Sequence, residues 1–248
     1  MIAPEIAAGD AAAVATLLAK IGGAHAPAVL AASFGADDMV LVDLIGRLKL
    51  PIEVLTLDTG RLPDETYRLI DRVRTRYELP IRIVFPEREA VEAYVQSNGM
   101  NGFYKSLELR ERCCAIRKAA PLARALADYA AWITGQRRDQ SLTRATLAVE
   151  EFDAKHRLPK FNPLVAWTRD DVWAYLRSHG VTYNELHDRG YASIGCAPCT
   201  RAIEPGEDSR AGRWWWEHDA VKECGIHFSA NGRAERKLDV LLAEIASR

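Results

Sequence analysis

The sequence predicts an α/β fold in which helices flank a mainly parallel β-sheet. Short apolar or β-branched runs alternate with helical patterns up to about residue 150, and only a few residues connect them. This alternation is typical of βαβ units. Beyond that point the periodicity weakens, and residues 187–231 mix Gly, Pro, Arg and Trp without regular spacing. Because a long irregular stretch in a compact domain is usually functional, we expect this segment to contribute to a site.

The predicted elements follow one another as strand and helix. The strands cover residues 28–34, 52–58, 81–85 and 130–134, and the helices between them cover residues 37–48, 63–77 and 87–96. Pro63, followed by Asp64 and Glu65, is a strong signal for a helix N-terminus. Two later helices are predicted over residues 170–179, which Thr168 caps, and over residues 233–245.

Length, composition and charge exclude several classes of protein. The chain has 248 residues, 48% of them hydrophobic, and a formal net charge of −1 at pH 7. We expect residues 1–205 to form one large domain and residues 206–248 to form a C-terminal segment that closes over the site. The balanced charge argues against nucleic-acid binding. No apolar run approaches the ~20 residues of a membrane-spanning helix, and the N-terminus lacks a basic signal-peptide start. These features predict a soluble cytoplasmic protein.

The five cysteines fall into two tight pairs and one single residue: Cys113 with Cys114, Cys196 with Cys199, and Cys224. The four paired thiols have three interpretations, namely inert buried thiols, a closed zinc site, or the ligands of a [4Fe–4S] cluster. Adjacent ligands are awkward for zinc, which usually has two to four residues between paired cysteines. Basic residues flank the first pair and would stabilise the negative charge of a cluster, so the spacing favours the cluster.

Cys224 has Lys222 two residues before it and His227 three residues after it. Such cations can hold a cysteine as a low-pKa thiolate, which is the nucleophilic form. A spare surface thiol is the alternative interpretation. If Cys224 undergoes a redox cycle, it needs an external dithiol, because the other four cysteines are already paired.

Two loops at the carboxyl ends of predicted strands suit an anionic ligand. Residues 33–38 join a strand to a helix N-terminus, whose backbone N–H groups favour an anion, although Asp37 and Asp38 would repel one unless they cap the helix. Residues 136–144 carry three arginines, the side chains best suited to bind phosphate or sulfate. A third loop covers residues 58–61. More arginines lie beside the Trp214–Trp215–Trp216 run, which we expect to anchor its segment in the core.

Seven ordered blocks between about residues 30 and 228 resemble the assimilatory adenylyl-sulfate (APS) reductases of the phosphoadenylyl-sulfate (PAPS) reductase family. The blocks cover residues 33–38, 57–60, 112–118, 133–140, 191–200, 212–217 and 223–227. The resemblance implies an adenine nucleotide α-hydrolase-like (PP-loop) fold. It also implies an oxidoreductase of sulfate assimilation and cysteine biosynthesis, which converts APS to sulfite and AMP with thioredoxin as the electron donor.

The same resemblance implies roles for individual residues. Cys224 corresponds to the nucleophile that forms an S-sulfocysteine, with His227 beside it, and Lys118 corresponds to a lysine set between cluster and substrate. The four paired cysteines correspond to the ligands of a [4Fe–4S] cluster: Cys113, Cys114, Cys196 and Cys199. The predicted substrate-binding residues are Ser33, Gly35, Leu57, Thr59, Gly135, Arg144, Arg210 and Arg213. No nucleic-acid or membrane partner is expected, and the oligomeric state stays open, a homo-oligomer included.

Three alternative functions compete with this assignment. A PAPS reductase, or an enzyme that accepts both nucleotides, is the nearest, but the cluster-free PAPS reductases lack the paired cysteines. A PP-loop tRNA thiolase needs an SGGxDS-like loop, from which residues 33–38 depart at two positions. A zinc-stabilised binding module would leave Cys224 and the nucleotide loop unexplained.

Overall fold

The computed structural model describes residues 6–217. Contacts between residues divide the chain into two compact units. Unit 1 contains the described residues up to 56 together with 63–83 and 126–189. Unit 2 contains residues 57–62, 84–125 and the chain from 190 onward. Of the predicted C-terminal segment, residues 218–248 lie outside the described residues, so the boundary at residue 205 and the helix over 233–245 stay predictions.

Among the described residues, six strands form one sheet. They are β1 (Ala28–Ala31), β2 (Ile52–Leu57), β3 (Ile81–Val84), β4 (Ala131–Ile133), β5 (Glu150–Asp153) and β6 (Leu158–Phe161), in the spatial order β3-β2-β1-β4-β6-β5. The pairs β1–β2, β1–β4 and β4–β6 are parallel, and Leu30 lies opposite Val54 on one side and Ile133 on the other. Only the β5–β6 hairpin is antiparallel among these pairings. The mainly parallel sheet and its first four strands confirm the prediction.

The described helices confirm the predicted ones within one or two residues and add others. They are α1 (Ala11–Ala24), α2 (Ala36–Leu48), α3 (Asp64–Tyr77), α4 (Arg88–Asn98), α5 (Leu107–Cys114), α6 (Ala120–Leu126) and α7 (Arg169–Ser178). A π-helical turn, Ala115–Ala119, joins α5 to α6. Thr168 caps α7 as predicted, since its hydroxyl accepts from the Asp171 amide while the Asp171 carboxylate accepts from the Thr168 amide. No helix in residues 6–217 is long and apolar enough to cross a membrane.

The core of unit 1 lies between the sheet and its helices, where Leu30, Val40 and Ile133 are fully buried. One buried carboxylate ties three of these helices together. Asp43 of α2 accepts hydrogen bonds from the hydroxyls of Tyr77 in α3, at 2.8 Å, and Tyr175 in α7, at 2.6 Å. Burial and this carboxylate raise the pKa of both phenols, so both remain donors at any physiological pH.

Unit 2 contains α4, α5, the π-helical turn, most of α6 and the segment that begins at residue 190. As predicted, its described part, residues 190–217, has little regular structure; a short helical turn over Ala197–Cys199 and an isolated bridge between Thr200 and Arg213 are present. The Trp214 side chain is 1% exposed, which confirms its predicted anchoring role, whereas Trp215 is 37% exposed.

Candidate functional site

The loop between β1 and α2 in unit 1 has a strained backbone. Phe34 is fully buried and has a φ of 60°, in the left-handed region that bulky side chains rarely adopt. Such strain persists only where the surrounding packing enforces it, and it concentrates at ligand-binding sites. Gly35 follows in extended conformation as the N-cap of α2. Ser33 and Gly35, both predicted substrate-binding residues, therefore lie directly before a helix N-terminus.

The two carboxylates of this loop are both engaged by donors. Asp38 accepts from the Ser33 amide at 2.6 Å and from its hydroxyl at 2.8 Å. Burial raises the pKa of Asp38 to about 6, and the Ser33 hydrogen bonds limit the rise. Asp37 forms an ion pair with Arg137 and accepts a hydrogen bond from the side-chain Nε2 of Gln140 at 3.0 Å. Each carboxylate therefore has partners within unit 1 that offset the repulsion it would exert on a bound anion.

The loop after β4 packs against the same end of α2. A Cβ atom added at Gly135 would lie 2.5 Å from Asp38 Oδ1 and 3.1 Å from the Asp38 amide, so this position needs glycine. Arg137 is buried in this loop and pairs with Asp37 and Asp139. Arg144, further along the same loop, is also buried. Unit 1 therefore brings together four of the predicted substrate-binding residues, namely Ser33, Gly35, Gly135 and Arg144.

A buried polar network supports the base of this loop. Thr134 donates to Asn162 Oδ1 at 2.6 Å, and the Asn162 amide donates to Glu151 Oε1 at 3.1 Å. Lys160 links the two sides, because its ammonium lies 2.8 Å from Glu151 Oε1 and donates to the side-chain Oε1 of Gln136, also at 2.8 Å. Thr134 and Gln136 lie in the block 133–140 that the sequence singled out, whereas Glu151, Lys160 and Asn162 were missed because β5 and β6 were not predicted. The network holds Gln136 next to Gly135.

In unit 2, the four paired cysteines line a single cavity. The other residues around it are Arg61, Phe103, Arg110, Arg117, Lys118 and Pro198. The sequence predicted that the two pairs act together, and this cavity confirms their proximity. Four thiols surrounded by four cationic side chains match the donor set and the charge balance that a thiolate-ligated iron–sulfur cluster requires. No group of three or more His, Cys, Asp or Glu side chains in residues 6–217 is arranged to hold a single metal ion.

The π-helical turn after Cys114 places Arg117 and Lys118 at this cavity. π-helical turns are rare and occur frequently at functional sites. The Arg117 guanidinium donates to the Thr59 carbonyl at 2.6 Å, and the Thr59 hydroxyl lies 3.3 Å from Cys196 Sγ. Thr59, a predicted substrate-binding residue, is therefore tied to the second cysteine pair. Leu57 ends β2 just before it.

Burial raises the pKa of two of the cavity thiols, Cys113 and Cys199. The pKa of Cys199 rises to about 12, with the neighbouring Cys196 adding to the effect. Because metal centres bind cysteine as the thiolate, binding of such a centre by these cysteines would release protons.

The two remaining predicted arginines lie in the irregular part of unit 2. The Arg213 guanidinium is 4.7 Å from the Trp214 ring centre and contacts the Ser193 hydroxyl at 3.4 Å and the Ile194 carbonyl at 3.3 Å. Gly195 packs directly on this guanidinium, which leaves no room for a side chain. Arg210 is half-buried, and its carbonyl accepts from the Arg213 amide. Cys224 and His227 lie outside the described residues.

Comparison with known proteins decides the family. The family described as "Phosphoadenosine phosphosulfate reductase domain" matches residues 27–202. This chain belongs to the phosphoadenosine phosphosulfate reductase family. The predicted family and the predicted adenine nucleotide α-hydrolase-like fold class are both confirmed.

Two curated members of the phosphoadenosine phosphosulfate reductase family are similar over most of their length. The adenosine 5'-phosphosulfate reductase of Burkholderia cepacia is 54% identical over 228 residues, which cover 92% of this chain and 91% of that protein. The enzyme of the same name from Allochromatium vinosum is 54% identical over 199 residues, covering 80% and 78%. Among solved structures, the phosphoadenylyl-sulfate (PAPS) reductase of Candida auris is 27% identical, with a TM-score of 0.66 and coverage of 77% and 90%.

Proposed function

We propose that this protein is an assimilatory APS reductase, which converts adenosine 5'-phosphosulfate to sulfite and AMP with thioredoxin as the electron donor. The observation that carries the proposal is the cavity of unit 2, in which all four paired cysteines meet with four cations. The names of the two curated relatives support APS as the substrate. The proposed place of the reaction is cytoplasmic sulfate assimilation, where sulfite supplies cysteine biosynthesis.

We assign substrate-binding roles to residues of each unit, taken separately. In unit 1, Ser33, Gly35 and Gly135 form the nucleotide loops, and the buried Arg144 supplies positive charge for the phosphosulfate. In unit 2, Leu57 and Thr59 are assigned to nucleotide binding, and Lys118, Arg210 and Arg213 are assigned to binding the anionic part of the substrate. Guanidinium groups bind phosphate and sulfate oxygens through two parallel hydrogen bonds, so arginine suits a phosphosulfate better than lysine does.

The first chemical step transfers the sulfo group to the enzyme. The Cys224 thiolate attacks the sulfur of the sulfate, a bond forms between the two sulfur atoms, and the bond from sulfur to the bridging phosphate oxygen breaks. AMP leaves with the electron pair of that bond, and Cys224 becomes an S-sulfocysteine. His227 and the neighbouring Lys222 favour the thiolate form of Cys224. Cationic side chains offset the charge that develops on the leaving phosphate.

The second step releases sulfite. One thioredoxin thiolate attacks the Cys224 sulfur, sulfite leaves with the electron pair of the sulfur–sulfur bond, and a mixed disulfide forms. The second thioredoxin thiol then attacks its own partner sulfur, which frees Cys224 and closes the thioredoxin disulfide. Two electrons pass from the dithiol to sulfur, and the enzyme returns to its starting state. The donor must be external, because the other four cysteines line the cavity of unit 2.

The cavity cysteines would hold a [4Fe–4S] cluster through Cys113, Cys114, Cys196 and Cys199. When bound, the cluster supplies charge and order to the site, while the thiols supply the electrons of the reaction. Arg61, Arg117 and Lys118 line the same cavity and would balance the negative charge of a thiolate-ligated centre.

The proposal is tested by assaying the purified protein anaerobically with APS, thioredoxin and a thioredoxin-reducing system. We expect sulfite and AMP in equal amounts. Without thioredoxin we expect no sulfite and at most one AMP per enzyme. The same assay with PAPS in place of APS tests the alternative that this protein is a PAPS reductase, the name given to the similar Candida auris protein. Faster turnover of PAPS than of APS would assign the chain to that alternative, and equal rates would indicate a dual enzyme.

A further inference from the structure

The Tyr104 side chain connects the two cysteine-bearing elements of unit 2. Tyr104 ends a short helical turn, and α5, which carries the first cysteine pair, begins three residues later. The Tyr104 hydroxyl donates a hydrogen bond at 2.6 Å to the carbonyl of Pro198, which lies between the two cysteines of the second pair. None of the predicted roles includes Tyr104. One hydroxyl therefore joins the start of the first cysteine-bearing element to the turn of the second.

The turn of the second cysteine pair is held through its backbone. Its Ala197 amide donates to the Arg61 carbonyl at 2.8 Å, and its Cys199 carbonyl accepts from the Trp214 amide at 3.3 Å. Both of these partners belong to segments other than α5. The Tyr104 hydroxyl adds a third hydrogen bond, and of the three it is the one that ties the turn to the start of α5.

Aromatic packing fixes the position of the Tyr104 ring. Trp216 contacts it edge to face, with 4.4 Å between ring centres, and Phe103 packs against it at the same distance. Such aromatic pairs stabilise a structure beyond the area that they bury. Phe103 is 1% exposed and lines the cysteine cavity, whereas Tyr104 is 39% exposed. The phenol is therefore held against a residue of the cavity wall while its hydroxyl points to Pro198.

The chain alone does not determine the distance between the two cysteine pairs. About eighty residues separate Cys114 from Cys196 in the sequence, yet a cluster needs all four thiolates at fixed positions. Contacts between the two elements must therefore fix that distance. Residues that orient the ligands of a metal centre strongly affect its affinity for the protein. A hydrogen bond from the start of α5 to the ligand-bearing turn suits this purpose.

We propose that Tyr104 is a positioning residue, which fixes the second cysteine pair relative to the first and thereby helps to retain the [4Fe–4S] cluster. This inference rests on the proposed function, in which the four cysteines hold that cluster. It predicts that loss of the Tyr104 hydroxyl accelerates the release of iron from the folded protein.

The test compares full-length, iron-loaded Tyr104→Phe with the unmodified protein under anaerobic conditions. The substitution removes the hydroxyl and keeps the ring. Transfer of iron to an excess of a ferrous chelator is followed without denaturant. We expect release to be about fivefold faster, the factor that corresponds to the loss of one neutral hydrogen bond. The visible circular dichroism of the loaded protein should also change, because it reports the arrangement of the ligands around the cluster.

Tyr183→Phe is the matched control in unit 1. The Tyr183 hydroxyl donates to Asp188 at 3.0 Å, and the Tyr183 ring meets Trp173 edge to face, with 5.0 Å between ring centres. The control therefore removes a tyrosine hydrogen bond in a similar aromatic setting and should leave iron release and the visible spectrum unchanged. Tyr104→Leu, which removes ring and hydroxyl together, should accelerate iron release more than Tyr104→Phe does.

Unchanged iron release in Tyr104→Phe, or equal acceleration in Tyr183→Phe, would overturn the proposal. Faster release with an unaltered visible spectrum would also overturn it, because the hydroxyl would then act through general stability and not through ligand position. An unmodified protein without iron would refute the cluster and this inference together. Sulfite formation from APS by the unmodified enzyme is measured separately and decides the reaction.

Discussion

Arg110 and Glu217 form a buried ion pair with two hydrogen bonds, 2.9 Å from Nε to Oε1 and 3.0 Å from Nη2 to Oε2. Their side chains are 3% and 8% exposed. Arg110 also lies 4.5 Å from the centre of the Trp214 ring and lines the cysteine cavity. Within unit 2, this pair joins helix α5, which carries the first cysteine pair, to the chain just before the segment that contains Cys224.

Because both charges of this pair are buried, removing one should be costly. We predict that Glu217→Gln lowers the free energy of unfolding by about 3–5 kcal/mol, since it removes the negative charge of a buried, doubly hydrogen-bonded ion pair. Urea denaturation of the anaerobic, iron-loaded protein measures this. Glu89→Gln, which breaks the exposed Arg88–Glu89 pair, is the matched control and should leave the free energy of unfolding almost unchanged. Equal effects of the two substitutions would show that burial does not govern the strength of the pair.

The paired cysteines should control iron binding. We predict that Cys196→Ser abolishes the brown colour and the iron content of the purified protein and lowers its stability, because Cys196 lines the cavity and its sulfur contacts the Thr59 hydroxyl. Cys224→Ser should keep full iron content and lose sulfite formation. Iron and acid-labile sulfide analysis checks both. An unchanged iron content in Cys196→Ser would refute its assignment as a ligand.

Gly135 should tolerate no side chain. Gly135→Ala would place a Cβ 2.5 Å from Asp38 Oδ1, so the loop or the start of α2 must move. We predict at least a tenfold weaker affinity for APS, on the basis that loss of one charge-assisted hydrogen bond already has about this effect, and calorimetry measures it. Gly23→Ala is the control, since an added Cβ there meets nothing within 4 Å and lies in α1. That substitution should raise stability by about 0.5–1 kcal/mol, and an equal loss of affinity in both variants would contradict the steric explanation.

Asp38 should make stability depend on pH. Its folded-state pKa of about 6 lies above the unfolded value near 3.9, so the folded state binds the proton more tightly. Its stabilising contribution is therefore complete below about pH 3.9 and is lost as the pH rises through 6. Relative to Asp38→Asn, the wild type should lose about 2 kcal/mol of unfolding free energy between pH 4 and pH 7.5. Urea titrations at the two pH values measure this, and a constant difference between the two proteins would contradict the shift.

The sequence predicted the elements with strong periodicity and missed those with weak local signals. Strands β1 to β4 and the helices between them emerged from apolar runs with clear boundaries. Helix α1 was missed although Val14, Leu17, Leu18 and Ile21 have helical spacing, because its alanine-rich context has no contrasting polar face. The four-residue strands were missed because β5 (Glu-Glu-Phe-Asp) is rich in acidic residues and β6 (Leu-Pro-Lys-Phe) contains a proline and a lysine.

The site was predictable where residues are close in sequence, and less so where they meet only in the folded chain. The cysteine spacing identified both pairs, and their shared cavity confirms the grouping. Arg61, Phe103 and Arg110 line the same cavity but come from distant segments without a local motif. Gln140 was visible within a recognised block, yet its contact with Asp37 spans about a hundred residues and depends on the tertiary fold.

In the proposed mechanism, Cys224 carries the sulfo group between the two half-reactions. This role is tested by incubating the anaerobic, iron-loaded enzyme with APS in the absence of thioredoxin, then determining the intact mass and mapping peptides. We predict one added SO₃ on the peptide that contains Cys224 and one AMP released per enzyme. An enzyme that forms sulfite when thioredoxin is present, yet shows no adduct and no AMP under these conditions, would contradict it.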